Sequence, residues 1–384
     1  MADSSVVAER VSAPSSEDAA TNNSLARLDA GTRGKPPLVS IIVVSHNYAQ
    51  FVGKAVASAL GQSYRPLEVI LVDDGSTDGS QQILAAFADR AEVILKRNGG
   101  ETSTVNAGFA ASTGDIVMLL DSDDMLHEAA AASVVAAWRP GISKVQYCLR
   151  VVDADDAPWG RNMPRYPEGF SATDVRRLVR RFGTYPAPPS SGNAYSRDFL
   201  SKVMPIDARQ FPFAPDGALN AIAPLYGDVV SIDRPLGYYR VHGRNMWAMV
   251  TLDRARILQF IDLGRKEALF LRAHAAKVGI DLPRRNPLDH SYHVLERRLA
   301  ARILSPEDPL VAKDRRLVLF LRACLCVHRH EKGFRLRLVM LAWFLATAIS
   351  PAALARRLLE YRFSENVRPA RVRRMVRRLS RNAT

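Results

Sequence analysis

Residues 116–124 read IVMLLDSDD, so five apolar residues run directly into three carboxylates within four positions. A short apolar run of this kind is typical of a strand that is buried on both faces of a parallel sheet. Clustered carboxylates repel one another unless a cation lies among them, and Mg²⁺ or Mn²⁺ prefers such oxygens together with substrate phosphates. The alternative is that Asp123 or Asp124 caps a helix that begins near His127. Capping accounts for one carboxylate and not three, so we expect a divalent-metal site.

Upstream of this stretch, apolar strands alternate with helical patterns. Helix-spaced apolar residues such as Phe51, Val52 and Leu60 follow the first strand, and Ser76 offers a cap for a second helix. This alternation predicts an α/β domain with a largely parallel sheet. The expected strands cover residues 38–44, 67–72, 93–95 and 116–120, and the expected helices cover 51–60, about 76 onward and 102–112.

Each of the four expected strands is followed by polar residues. The segments are Ser45–Tyr48, Asp73–Asp78, Asn98–Gly100 and Asp121–Asp124. Any one of them read alone is equally well explained as an ordinary turn. Ligands of parallel α/β sheets bind beyond the carboxyl ends of the strands, so we expect the four segments to meet at one edge.

The order and spacing of these blocks resemble family 2 of the GT-A glycosyltransferases over about residues 37–245. The blocks are SIIVVSHNY, VILVDDGSTDGS and NGG…NAGFAASTGDIVMLLDSDD. The resemblance implies an α/β fold of the GT-A type, with a Rossmann-like, mostly parallel sheet. It also implies a nucleotide-diphosphosugar donor, Mg²⁺ or Mn²⁺ held at a DxD motif, and inversion at the anomeric carbon.

The resemblance also assigns donor-side residues. Asp74 corresponds to the carboxylate that reads the nucleotide base, and His46 stands where the family often has a tyrosine. One departure is Val105, because the family commonly has arginine before the residue that is Asn106 here, which leaves one fewer cation near the nucleotide. The expected donor-binding residues are Ser45, His46, Asn47, Asp74, Asn106 and Asp121, and the expected metal ligands are Asp123 and Asp121.

The second half of the segment supplies the acceptor side by the same resemblance. Inversion by direct displacement needs one general base for the acceptor hydroxyl, and Asp216 stands at the family position, after Pro215 in place of the usual glutamate. The alternative is that Asp216 only caps a helix over residues 218–226. Gly192 and Asn193 match the family's acceptor edge.

The segment Asp233–His242 resembles a closing element of the family that covers the donor phosphates. Arg240 and His242 are its candidates for phosphate or metal contact, because guanidinium and imidazole groups suit a diphosphate. A structural role for His242 is the alternative.

Composition adds a charge asymmetry to this picture. The chain has 384 residues, of which 47% are hydrophobic and 24% are charged, a composition typical of a globular protein. Its formal net charge is +14. The residues from Lys313 onward contain 18 Lys/Arg and 4 Asp/Glu, so this last part holds the entire basic excess. Three cysteines without CxxC spacing favour a reduced, cytoplasmic protein.

The C-terminal part therefore needs its own explanation. Residues 338–355 form an uncharged run that contains Pro351, and residues 371–379 predict a basic amphipathic helix. We expect contact with an anionic membrane surface; a solvated tail, a helix packed on the catalytic domain and nucleic-acid binding are the alternatives. The predicted parts are a disordered leader (1–36), a GT-A domain (37–247), a helical extension (248–331) and a membrane-associating tail (332–384).

The sequence thus predicts an inverting, metal-dependent glycosyltransferase of a bacterial type. The expected donor is a UDP- or dTDP-sugar, and the expected acceptor is a cell-surface glycan or lipid-linked molecule in polysaccharide biosynthesis. We expect it at the cytoplasmic face of the inner membrane. The alternatives are a catalytically silent subunit that binds nucleotide-sugar or membrane, and a sugar nucleotidyltransferase. The latter needs a Gly-rich, basic loop after the first strand, and Ser45–Gln50 is not one.

Overall fold

The strands of the protein form one twisted sheet. The computed structural model describes residues 35–245, 252–283, 291–330 and 334–364, and nine strands lie among them. They are β1 (Val39–Ser45), β2 (Leu67–Asp73), β3 (Glu92–Leu95), β4 (Ile116–Asp121), β5 (Met125–Leu126), β6 (Ile142–Asp153), β7 (Pro158–Met163), β8 (Asn193–Ser196) and β9 (Asp228–Val241).

Helices cover both faces of the sheet and continue beyond it. Those of the first part are α1 (Ala49–Leu60), α2 (Ser80–Ala85), α3 (Glu101–Ala111), α4 (Ala130–Ala137), α5 (Ala172–Phe182), α6 (Arg197–Val203) and α7 (Pro215–Tyr226). Those of the C-terminal part are α8 (Arg254–Lys277), α9 (Tyr292–Leu304), α10 (Arg316–His330), α11 (Phe334–Ile349) and α12 (Ala352–Phe363).

The strand order is β3-β2-β1-β4-β8-β6-β9-β5, with β7 paired to β6. The pairs among β1, β2, β3 and β4 are parallel, as predicted from their continuous apolar runs. Strand β8 is antiparallel to both of its neighbours, so the sheet is mixed and only its first half is purely parallel. The carboxyl ends of β1, β2 and β4 therefore point to one edge.

Successive side chains of β1 explain why this strand is apolar throughout. Ile42 and Val44 belong to a hydrophobic cluster on one face of the sheet, whereas Ile41 and Val43 belong to a cluster on the other. All four are buried, because strand side chains alternate between faces and helices cover both. Full burial of one such side chain stabilises the fold by about 1.5–3 kcal/mol.

Two helix starts differ from the prediction. Helix α2 begins at Ser80 rather than near Ser76, because residues 76–78 are held in a loop. There Oδ1 of Asp73 accepts a hydrogen bond from the Ser76 amide, and Oδ1 of Asn47 accepts one from the Thr77 amide. Helix α4 begins at Ala130 rather than near His127, because Met125–Leu126 first pairs with β9.

The C-terminal helices enclose a third hydrophobic cluster, which includes Ile257, Leu299, Phe344 and Leu359. Helix α11 ends at Ile349, and Pro351 directly precedes α12, so the proline interrupts the uncharged run of residues 338–355. Among the described helices, none is both long and apolar enough to cross a membrane.

Several predictions fall on other parts of the chain. The leader lies outside the described residues except for 35 and 36, and the boundary at residue 247 and the basic helix over 371–379 lie outside them too. The division into domains stays a prediction. The three cysteines are free thiols.

Candidate active site

A cleft of about 490 Å³ lies at the carboxyl ends of β1, β2 and β4. Ser45, Asp74, Asp121, Asp123 and Asp216 line it together. The polar segments that follow separate strands therefore meet at one edge, where ligands of parallel α/β sheets bind. Asp216 reaches the same cleft from α7.

The acidic turn after β4 brings three carboxylates together. Oxygen atoms of Asp121, Asp123 and Asp124 lie within 4.8 Å of one another. Burial, reinforced by the charges of neighbouring carboxylates, raises the pKa of Asp121 and of Asp124 well above the usual range. A hard divalent cation relieves this repulsion, and its preferred ligands are carboxylate oxygens. The donor set therefore fits Mg²⁺ or Mn²⁺.

The three carboxylates differ in their protein partners. Asp124 accepts hydrogen bonds from the Ser191 hydroxyl (2.7 Å) and from the Arg240 amide (2.9 Å). The alternative, that Asp124 caps a helix, does not hold, because both of its oxygens are bound elsewhere and α4 begins six residues later, at Ala130. Asp124 braces the acidic turn and leaves Asp121 and Asp123 facing the cleft.

The Asp74 carboxylate lines the cleft directly after β2. Its oxygens accept hydrogen bonds from the amides of Gly99 (2.9 Å) and Gly100 (2.8 Å), and Lys96 forms an ion pair with it. Gly100 has φ +85°, a conformation that glycine adopts without strain. The Nδ1 atom of His46 lies 3.0 Å from the Asp74 carbonyl oxygen, so the imidazole stands beside this carboxylate.

Two expected donor-binding residues do not line the cleft. Asn47 lies in the left-handed region with φ 58°, and its Oδ1 accepts a hydrogen bond from the Thr77 amide, so it holds the loop after β2. Asn106 pairs both side-chain atoms with the backbone of Ile206, at 2.8 and 3.0 Å. Asn106 therefore fixes the chain after α6 rather than facing the cleft.

Arg240, a candidate for phosphate or metal contact, is not among the described residues that line the cleft. Its side chain is fully buried, donates from Nε to the Asp123 carbonyl oxygen (2.7 Å), pairs with Asp156 and lies over the Phe51 ring. The guanidinium supports the acidic turn from behind. Arg244 lines the cleft instead, two residues beyond His242.

His242 contacts the acidic turn directly. Its Nε2 lies 2.9 Å from Oδ2 of Asp123, and its ring packs against Tyr48 and Phe51. The imidazole is thus in position to orient the Asp123 carboxylate.

Gly192 and Asn193, the residues expected at the acceptor edge, do not line the cleft themselves. Asn193 is fully buried, with Nδ2 donating to the Pro189 carbonyl oxygen (2.8 Å). A Cβ on Gly192 would lie 2.5 Å from Pro188, so this glycine allows close packing of the loop. Pro189 and Ser190 line the cleft, and Gly192 with Asn193 shapes the turn that presents them.

Asp216 lies in the first turn of α7 and not before it. The helix begins at Pro215 and its N-cap residue is Ala214, so Asp216 is not the N-cap. Burial raises the pKa of Asp216 to about 6, and the charge of Lys144 opposes this shift. A carboxylate with this pKa is ionised at neutral pH and basic enough to accept a proton.

Glu101 is a site residue that the sequence analysis missed. It lines the cleft at the start of α3, and burial followed by the charge of Asp216 raises its pKa to about 7. Its signal was present, because it directly follows Asn98-Gly99-Gly100, the polar segment after β3. Arg256 lines the cleft from α8 and had no local signal.

Comparison with known proteins shows which family one segment of the sequence matches. The sequence model described as glycosyl transferase family 2 matches residues 40–204. An uncharacterized glycosyltransferase of Nostoc sp. (strain PCC 7120) is 31% identical over 213 residues, which are 54% of this chain and 66% of the relative. An uncharacterized glycosyltransferase of Rickettsia typhi is 37% identical over 91 residues, which are 24% of this chain and 29% of that protein. The chain thus spans less than two thirds of the length of these relatives.

A solved structure resembles the chain over a longer range. Residues 1–349 of TarS from S. aureus, in complex with UDP-GlcNAc, align with a TM-score of 0.49 at 16% identity and cover 84% of this chain and 91% of that one. The mixed sheet with its C-terminal helices is a GT-A fold, as the sequence predicted. The match to glycosyl transferase family 2 covers residues 40–204, the segment that contains β2 to β8 and all but the first residue of β1.

Proposed function

We propose that this protein is an inverting glycosyltransferase that moves a sugar from a nucleotide-diphosphosugar donor to an acceptor hydroxyl. The observation that carries the proposal is the single cleft shared by Asp74, Asp121, Asp123 and Asp216. It combines a nucleotide end, an acidic turn suited to a cation, and a carboxylate of raised pKa. A UDP- or dTDP-sugar is the favoured donor, because Asp74 suits the N3–H of uracil or thymine.

The acidic turn is the proposed holder of Mg²⁺ or Mn²⁺. Asp123 and Asp121 face the cleft and would bind the ion, while Asp124 and Arg240 keep the turn in place. A divalent ion supplies charge neutralisation for the departing diphosphate. Arg244 and Arg256 add positive charge to the same cleft.

Asp216 is the proposed general base. It takes the proton of the acceptor hydroxyl as the hydroxyl oxygen forms a bond to the anomeric carbon. The bond from that carbon to the diphosphate oxygen breaks in the same step, and the electron pair leaves with the nucleoside diphosphate. Direct displacement of this kind inverts the anomeric configuration.

The C-terminal helices support a membrane-side location for the acceptor. Leu317, Leu321 and Leu325 of α10 are more than half exposed and lie on one side of the helix at its spacing. Helix α11 packs against α10 and exposes Leu338 and Ile349. Exposed leucines beside a strongly basic segment suit an anionic lipid surface. The proposed acceptor is therefore a lipid-linked or cell-surface glycan, reached from the cytoplasmic face.

A donor panel tests this function. Purified protein is incubated with UDP-, dTDP- and GDP-sugars, with Mn²⁺, Mg²⁺ or EDTA, and binding is measured by calorimetry. We expect at least one donor to bind in a metal-dependent manner. A protein that binds no donor under any of these conditions would not have this function.

A further inference from the structure

A second cavity of about 480 Å³ adjoins the donor cleft. Asp216, Pro189 and Tyr239 line both spaces, whereas Asp121 and Asp123 line the cleft alone. The proposed base therefore stands where the two cavities meet. A molecule in the second cavity can present a hydroxyl to Asp216 without entering the acidic end of the cleft.

The C-terminal helices build one wall of this second cavity. Gly264, Glu267 and Ala268 line it from α8, and Ser291 and Val294 line it from the start of α9. All five lie beyond residues 40–204, the segment that matches the family. The wall thus lies outside the segment that matches the family.

The lining of the second cavity combines apolar rings with uncharged polar groups. Phe182, Tyr185 and Tyr239 supply aromatic surface, and Thr184 and Asn220 supply neutral polar atoms. Among the described lining residues, no Lys, Arg or His is present, and the ionisable carboxyls are Asp216 and Glu267. Against these described residues, an anionic group loses its hydration without gaining a cation, which is strongly unfavourable.

One buried lysine contacts residues of this lining through hydrogen bonds. Lys144 lies beneath the cavity with Nζ bonded to Asn220, Gln146 and Tyr185, and burial lowers its pKa well below the usual range. Its hydrogen bonds are used within the protein.

Glu267 is placed to contact a ligand in this cavity. An ideal Cβ on Gly217 would lie 2.1 Å from Oε1 of Glu267, so only glycine lets α8 bring this carboxyl against α7. Burial, followed by the charge of Asp216, raises the pKa of Glu267 to about 8, so at neutral pH it is largely protonated and can donate a hydrogen bond. The ion pairs of the described residues include none with Glu267. The Glu267 side chain is partly exposed and lines the cavity, so its carboxyl is available to a ligand there.

We infer that the second cavity binds the acceptor, that the bound portion is an uncharged, hydroxyl-bearing group with an apolar face, such as a neutral sugar ring, and that Glu267 binds one of its hydroxyls. The inference rests on the proposed function for the role of Asp216. It adds the chemical class of the acceptor portion and a residue that selects it.

The test uses the full-length protein and two small probes, phenyl β-D-glucopyranoside and glucose 6-phosphate. Binding of each is measured by saturation-transfer NMR for the wild type, Ala268→Phe, Glu267→Ala and Leu269→Phe. Ala268→Phe fills the cavity, and Leu269→Phe is the matched control because Leu269 is 54% exposed on the same helix. Binding of Mn²⁺-UDP to each protein is measured in parallel.

We expect the phenyl glucoside to bind the wild type and Leu269→Phe alike. Ala268→Phe should weaken this binding by at least about tenfold, and Glu267→Ala by roughly three- to tenfold, the value of one lost hydrogen bond. Glucose 6-phosphate should bind at least about tenfold more weakly than the phenyl glucoside.

Three results would overturn the inference. Glucose 6-phosphate could bind as tightly as the phenyl glucoside, or the phenyl glucoside could fail to bind the wild type. The third is that Ala268→Phe and Leu269→Phe change the binding of the phenyl glucoside equally. If Mn²⁺-UDP still binds, any of these results contradicts only the assignment of the second cavity to the acceptor. If Mn²⁺-UDP does not bind the wild type, the proposed function itself is contradicted.

Discussion

Nε2 of His242 lies 2.9 Å from Oδ2 of Asp123, and the His242 side chain is almost fully buried. This contact joins β9 to the acidic turn after β4, two elements that are far apart in the sequence. A histidine held against a carboxylate fixes the direction in which the carboxylate presents its other oxygen. His242 therefore sets the geometry of the proposed metal site.

His242→Gln tests this relationship. Losing the imidazole should weaken Mn²⁺ binding by about 10- to 100-fold, which is usual when a group that orients or shares a metal is removed. The measurement is a Mn²⁺ titration by electron paramagnetic resonance. His274→Gln is the control, because His274 lies on α8 beside Tyr226. Equal Mn²⁺ affinity of His242→Gln and the wild type would contradict the role of His242.

Asp216→Asn tests the general base. The amide is close in shape and cannot take the proton, so turnover should fall by about 10²- to 10⁴-fold while donor binding is retained. In the wild type, kcat should rise with pH up to about pH 6 and level off above it, because the pKa of Asp216 is raised to about 6 and the ionised form is active. A variant that keeps its turnover, or a rate that falls as the pH rises through 6, would remove Asp216 from this role.

Arg240→Met tests the support of the acidic turn. The change removes the hydrogen bond to the Asp123 carbonyl oxygen and the ion pair with Asp156, which is itself partly exposed. The free energy of unfolding should fall by about 2–3 kcal/mol, as measured by urea denaturation. Arg139→Met removes an exposed ion pair with Asp228 and should cost less than about 1 kcal/mol. Equal losses in the two variants would show that Arg240 is not a buried support.

The double variant Leu321→Glu/Leu325→Glu tests membrane contact. Both side chains are exposed on α10, at 56% and 62%, so the change should leave folding intact while it places negative charge on the proposed contact face. Co-sedimentation with phosphatidylglycerol vesicles should fall by at least about tenfold. Leu95→Glu is the control, because Leu95 is 51% exposed on β3. Unchanged sedimentation of the double variant would contradict contact through α10.

The first half of the sheet was predictable from the sequence, and the second half was not. Strands β1 and β4 are continuous apolar runs, and that pattern indicates a strand buried on both faces. Strand β6 is also buried, yet it contains Lys144 and Gln146, which bond to each other in the interior. Such buried polar pairs look like an exposed face in the sequence, so the pattern gave no signal for this strand.

The site divides in a similar way. Asp74, Asp121 and Asp123 follow directly from strand ends, where local sequence and sheet geometry agree. Long-range contacts determine where the other expected residues point. Asn106 hydrogen-bonds to the backbone of Ile206, and the Arg240 side chain is buried in the interior. Glu267 lies on a helix beyond residues 40–204, and no sequence motif indicated that it lies close to Asp216.

Asp123 is the proposed ligand of a metal that binds the donor, and the proposed function depends most on this role. The most direct measurement is calorimetric titration of the preferred nucleotide-sugar, with and without Mn²⁺, into the wild type, Asp123→Asn and Asp89→Asn. Asp89 is an exposed surface carboxylate and serves as the control. We predict that Mn²⁺ strengthens donor binding in the wild type and Asp89→Asn, and that Asp123→Asn loses this dependence. Metal-dependent binding that is equal in all three proteins would contradict the account.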